Sequence, residues 1–448
     1  IPKIKRKATD GPKPSTQVIH FRSEDRNNIE RPVKYVPITL LRFRKNNGRI
    51  ASDVYSYEKD KGPLKEDSAE AQKILFDFLY KKDPEKTQDL INNISQYKQK
   101  EAAIITADGF LINGNRRKVA LQKLYDETSD SQYSLMKVVI LPGENDPGGP
   151  PTLKEIEQIE NRYQLQSEGK SEYYGFDRAL SIRRKMRLGM SLKEQLKDDP
   201  NYYKLTDKEF NKVVKEYEEQ FLKPLECIDR YLNQLDRPDR YDTISVGKEG
   251  RWQAFLDYYK SVQKKLEDEM WRTKHNIEED QVGDIEEIAF KIIRKKDFPG
   301  VEKVHKIMRD LPKLIVNEEA KKKIYKILEV EPNLPKEECY ENGKEIDEKT
   351  KDIKWSAKNE SKIVGQVKQA IQICDYEKQR ETPITLLQTA LSKLQHESMD
   401  PNAINYEDNG KAVKLAEEIR DTADELKTEF WKNLKNFQKL KGESKLTL

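Results

Sequence analysis

The residues best placed to do chemistry lie in the run Thr106-Ala107-Asp108-Gly109-Phe110-Leu111-Ile112-Asn113-Gly114-Asn115-Arg116-Arg117-Lys118-Val119-Ala120. A strand ends at Gly114 and a helix opens at once, with two arginines in its first turn. Glycine permits a backbone that other side chains forbid and lets a ligand come close. The free N–H groups and dipole of a helix N-terminus attract anions, and the forked guanidiniums of Arg116 and Arg117 suit phosphate oxygens. Cations normally avoid this end of a helix, at a cost of about 1 kcal/mol or less each. Two readings are open: the pair grips a phosphate, or it binds carboxylates of a neighbouring domain.

The elements that must hold this turn are read from periodicity. Val33–Ile38 is a short strand. Ala69–Tyr80 is a helix with Ile74, Leu75, Phe78 and Leu79 on one face, and Thr87–Gln96 is a second helix. The strand Ala102–Thr106, the turn Ala107-Asp108-Gly109 and the strand Phe110–Ile112 follow. A helix from Asn115 to Tyr125 and a strand Met136–Leu141 complete a small α+β domain over 33–142. A basic arm precedes it, 1–32, with Lys3, Lys5, Arg6, Lys7 and Lys13. Residues 1–50 hold 13 Lys/Arg against 4 Asp/Glu, although the whole chain of 448 residues is only +4. Such an arm either meets a polyanion or is a solvated tail.

Four prolines and three glycines in 142–151 mark a boundary, and 143–165 is a linker running into Glu160-Asn161-Arg162. Everything beyond reads as helix, in segments 166–246, 247–410 and 411–448. In the first of these, Glu172–Leu188 carries a stripe of Ala179, Ile182, Met186 and Met190. The turn Gly189-Met190-Ser191 and the helix Leu192–Lys197 follow, then a capping box at Thr206 and Glu209. Arg178, Arg183, Arg184, Lys185 and Arg187 form a basic cluster suited to DNA phosphates. The next helix, Lys208–Gln220, bears four acids against three lysines, so a plain helical bundle with a solvated face is the other reading. Trp252, Phe255, Tyr258 and Tyr259 are expected in a core. The last segment sets Ala412, Ala416, Ile419, Ala423, Leu426, Phe430, Asn433, Phe437 and Leu440 on a heptad seam. An intermolecular coiled coil, giving a homodimer, and a helix packed on its own bundle are both open.

Charged residues make up 37% of the chain, against a usual ~25%. No apolar run approaches the ~20 residues of a membrane span, so a cytoplasmic protein with no membrane partner is expected. His20, His275, His305 and His396 are scattered. Cys227, Cys339 and Cys374 lack metal-knuckle spacing. Zinc enzymes, Ser-His-Asp hydrolases and papain-like proteases are poor fits.

Three stretches together resemble a known family: Asn92–Gln99, Ile104–Gly109 and Gly114-Asn115-Arg116-Arg117-Lys118-Val119-Ala120. They are similar to the N-terminal domain of ParB partition proteins, whose fold is shared with sulfiredoxin. Glu160-Asn161 is similar to the start of that family's second phosphate and metal motif, which continues here as Arg162-Tyr163-Gln164. The family's Gly-rich nucleotide motif is absent, with Asn46-Asn47-Gly48-Arg49 the nearest stretch. The resemblance implies a ParB/sulfiredoxin-like domain followed by a large all-α region that begins with a helix-turn-helix-like bundle and ends in C-terminal helices. It implies that Gly114, Asn115, Arg116 and Arg117, helped by Arg162, hold CTP or another nucleoside triphosphate. Glu160 and Asn161 would help hold Mg²⁺. Asn115 stands where sulfiredoxin needs its cysteine, which removes that activity.

The expectation is a ParB-like nucleotide-binding, DNA-associated protein, with any slow CTPase or NTPase activity acting as a switch. One alternative is a nuclease or phosphotransferase of a mobile element or defence system, with Glu160 or Asp108 as the acidic group and Mg²⁺ as Lewis acid. The other is a non-catalytic interaction scaffold.

Overall fold

Alternation of side chains decides the centre of the N-terminal region. On strands β2 (Glu30–Pro37), β3 (Ala103–Ile105) and β4 (Leu135–Ile140), successive residues point to opposite faces. With β1 (Thr16–Val18) they form a mixed sheet in the order β1-β2-β4-β3. β2 runs antiparallel to β4, pairing Val33 with Val139, and β3 runs parallel to β4, pairing Ala103 with Val138. Val36, Ala103, Ile105, Met136 and Val138 pack on one face, against helices α3 (Ala69–Lys82), α4 (Pro84–Tyr97) and α5 (Asn115–Thr128). Val33, Ile104 and Val139 pack on the other, with Ile156 and Ile159 of α6 (Leu153–Leu165). The computed structural model describes residues 2–11, 14–19, 21–22, 30–165, 175–197, 199–202, 204–244 and 251–443. Lys13, His20 and the expected helix start at Glu172 lie outside them.

The rest is mostly helical. Its core begins on α7 (Gly175–Arg187), α8 (Leu192–Lys197), α9 (Asp207–Tyr217), α10 (Lys223–Gln234) and α11 (Trp252–Tyr258). It continues through the helices Asp280–Lys295 and Val304–Val316. Phe255, Tyr258 and Tyr259 are buried in it, as their helical spacing implied. The chain divides into two compact units, 1–374 and 375–448, so the expected segments 33–142 and 166–246 share one unit. The second unit holds the end of the helix Glu360–Leu394 and the helix Asn409–Glu443. Among the described residues, no helix is long and apolar enough to cross a membrane.

Several expectations change. The arm 1–32 is partly built into the first unit. A short helix α1 (Pro2–Lys7) and strand β1 occur there, Ile4, Ile19 and Phe21 are buried, and Lys5 pairs with Asp146 at 2.5 Å. Phe110–Ile112 makes single bridges rather than a strand, Phe110 to Arg42 and Leu111 to Ile105. The turn before it is so tight that Thr106 already receives the Phe110 N–H on its Oγ1, at 3.0 Å. A helix α2 (Ala51–Lys61) had no sequence signal strong enough to mark it. Met186 is exposed, because α7 ends one residue later, whereas Ala179, Ile182 and Met190 are buried as expected. The far half is not all helix: strands β5 (Tyr340–Glu341) and β6 (Lys344–Glu345) flank Asn342-Gly343, both at positive φ. That pair is the favoured two-residue hairpin turn.

Candidate polyphosphate site

Gly114 sits at the N-cap of α5 with φ +83°, and no side chain caps the helix. A Cβ there would lie 2.6 Å from Cβ of Ala103, so glycine is needed both for the turn and for the close approach of α5 to β3. The first-turn N–H groups are therefore left for something other than a capping side chain. Asn115 is buried, and its Oδ1 has no hydrogen-bond partner.

The two arginines part company. Arg117 turns back along the sheet edge, donating to the carbonyls of Glu101 at 2.5 Å and Ala102 at 3.2 Å, with the Glu101 carboxylate 3.9 Å away. Burial lowers its guanidinium below the ordinary value. It pins helix to strand. Arg116, by contrast, makes no hydrogen bond and no ion pair among the described residues, and its Nε is shielded from solvent without a partner. Burial, and then the like charge of Arg49, lower the Arg116 guanidinium, against the opposing pull of Asp83 and Asp89 on α4. Among the described residues, neither arginine has a carboxylate of the helical region within ion-pair reach, and the one contact, Arg117 with Glu101, is marginal and lies inside the sheet region.

Arg49 belongs to the turn Asn47-Gly48-Arg49, where Asn47 accepts the Arg49 N–H at 2.9 Å. On its far side this turn meets the second expected motif: the Gly48 N–H lies 3.4 Å from Oε1 of Glu160. Glu160 is buried between two guanidiniums, Arg44 at 3.9 Å and Arg184 at 3.6 Å. Arg184 grips Glu157 through two hydrogen bonds, 2.8 and 2.7 Å, and Arg44 reaches the same carboxylate at 3.1 Å. Asn161 donates to the Gln195 carbonyl at 2.7 Å and accepts from Lys185 at 3.1 Å. Burial pushes the Lys185 amine down to about 8, against the pull of Glu160 and Glu157. Arg162 lies half-buried beside them on α6.

The site thus joins Gly114, Asn115 and Arg116 to Arg49, with Glu160 and Asn161 behind the same turn. Arg49 belongs to the Asn46–Arg49 stretch that stood nearest to a nucleotide motif, whereas Arg44 and Glu157 carried little signal. Glu157 shares a helical face with Glu160, a spacing that could have pointed to it. A Mg²⁺ ion does not fit the donor set as arranged: both polar ends of Asn161 are engaged, and the Glu160 carboxylate already faces two cations. Among the described residues, no three His, Cys, Asp or Glu side chains gather in a metal-binding group.

The basic cluster on α7 is mostly an internal network. Arg183 pairs with Asp229 and donates to the Tyr241 hydroxyl at 2.5 Å. Arg178 donates to the Tyr217 hydroxyl at 3.0 Å and lies over the Tyr217 and Phe221 rings. Arg184 and Lys185 face α6. Arg187 alone of the five is exposed. The capping box of α9 forms as expected, with Glu209 held by Thr206. Comparison with protein-family models, curated proteins and solved structures found no match.

Proposed function

We propose that the chain binds a polyphosphate, in the first place the triphosphate of CTP or ATP, at the opening of α5, in the manner of ParB-like proteins. The observation that carries this reading is Arg116. A half-buried guanidinium beside a second guanidinium, with its Nε dry and unpartnered, leaves positive charge that Asp83 and Asp89 offset only in part, in a partly desolvated place. It stands at an uncapped helix N-terminus, whose dipole and free N–H groups attract the same kind of ligand. An anion spanning the α5 turn and Arg49 removes all three penalties together.

The reading concerns binding. No hydrolytic step is assigned, since Glu160 is held between Arg44 and Arg184 rather than facing a vacant reaction centre. The nuclease alternative lacks the clustered carboxylates it requires among the described residues. DNA association through α7 would rest on Arg187, with the other four cations of that helix already engaged.

Titration calorimetry with CTP, ATP, GTP and inorganic triphosphate, with and without duplex DNA, tests the reading. Binding is expected to weaken by roughly tenfold or more in Arg116→Ala, the loss of one charge-assisted contact. Arg117→Ala should lower stability and leave affinity nearly unchanged. The reading fails if no nucleotide or triphosphate binds, or if Arg116→Ala binds as the parent does.

A further inference from the structure

Between Asp375 and Phe437 no residue is buried, although this stretch is almost entirely helical. The apolar residues nevertheless follow two regular tracks. On the first helix Ile384, Leu387, Leu391 and Leu394 are spaced three, four and three apart and are all exposed. On the second, Ile419, Leu426, Phe430 and Phe437 of the heptad seam stand 39–57% exposed. Leu387 and the seam side of the second helix line a shallow groove of about 320 Å³. Two helices without a core cannot hold themselves together, so this surface is made to be covered.

We infer that the cover is a second copy of the same helix pair, and that two chains join through an intermolecular four-helix bundle. A 3.5-residue repeat sustained along the second helix calls for another helix packed in register. Its apolar arc also extends past the seam to Leu415, Trp431 and Leu434, all exposed. That arc is wider than a two-stranded coiled coil uses and matches a helix with two neighbours in a bundle. Eleven exposed large apolar side chains lie on these tracks and the widened arc. At roughly 80 Å² of exposed surface for each, they offer about 900 Å² per chain, above the ~800 Å² per partner of a stable interface. Asn433 is the seam's one polar residue. An amide both donates and accepts, so the same residue from a second chain can satisfy it.

The proposal stands apart from the nucleotide reading. Sedimentation equilibrium of the full chain is expected to give twice 52.6 kDa. Leu426→Glu with Phe430→Glu is expected to return the single-chain mass. Both residues are exposed within one chain, so its far-UV circular dichroism should keep the helicity of the first unit. Asn433→Leu should keep or tighten association, by up to roughly tenfold, because it removes the polar interruption. A single-chain mass for the parent at every concentration would overturn the inference. So would an unchanged mass for the double glutamate variant, or a chain that stays single while binding an unrelated helical protein through this face.

Discussion

Lys118 offers the sharpest quantitative test of the helix that carries the site. Its amine is buried one turn into α5, 3.9 Å from the Phe43 ring centroid, and donates to the Leu41 carbonyl at 2.6 Å. Burial pushes it from 10.5 down to about 7. The folded chain therefore holds fewer protons than the unfolded chain between those values, and stability rises with pH across that window. The gap is worth about 5 kcal/mol when the unfolded amine is fully charged. Lys118→Met removes that cost, but gives up about 1–2 kcal/mol of cation–π contact and leaves the Leu41 carbonyl without its donor, about 1–3 kcal/mol. The variant is expected to be on the order of 1–2 kcal/mol more stable near pH 7. The parent should then gain about 2 kcal/mol relative to the variant between pH 7 and pH 9, so the difference closes and inverts. Urea unfolding of both proteins across that range, followed by circular dichroism, reads it directly. Lys185 is common to both chains and cancels in the comparison. A difference that does not change with pH would refute the account of Lys118 as a desolvated amine.

Two further perturbations test the frame around the site. Gly114→Ala should destabilise by roughly 2–4 kcal/mol, since it combines a positive φ with a 2.6 Å overlap on Ala103, and thermal unfolding should show it. Adding Ala103→Gly should recover the part due to overlap and leave the backbone part. In the helical region Asp352 meets three guanidiniums, Arg237 at 2.7 Å, Arg294 at 2.9 Å and Arg251 at 3.2 Å. Burial alone would raise its carboxyl, but those cations outweigh it and hold it below 3.8. Asp352→Asn should cost about 3–5 kcal/mol at neutral pH by stranding buried positive charge. The stabilisation is present above 3.8 and is lost as pH falls through the lowered folded value, so the deficit should shrink in acid.

Local signals were legible where one element carried the whole cause. The period-two apolar strands, the Asp108-Gly109 turn, the Thr206–Glu209 capping box and the glycine that opens α5 need only their near neighbours. The fate of each arginine depended on distant partners. Arg116 and Arg117 look alike in the sequence, yet one meets the carbonyls of Glu101 and Ala102 while the other is left facing Arg49. The α7 cluster read as a phosphate-binding face because four of its cations find their partners on α6, α9, α10 and the residues beyond.

The chain's own pattern therefore determined that a helix opens at Gly114, that a helical region follows, and that the last helix bears a heptad seam. These are consequences of backbone geometry and of the spacing of apolar side chains. Only tertiary structure decided which charges are neutralised and which are left over. A long cationic side chain takes its partner from whatever element packs within about 4 Å, and electrostatic worth turns on burial that no local spacing encodes.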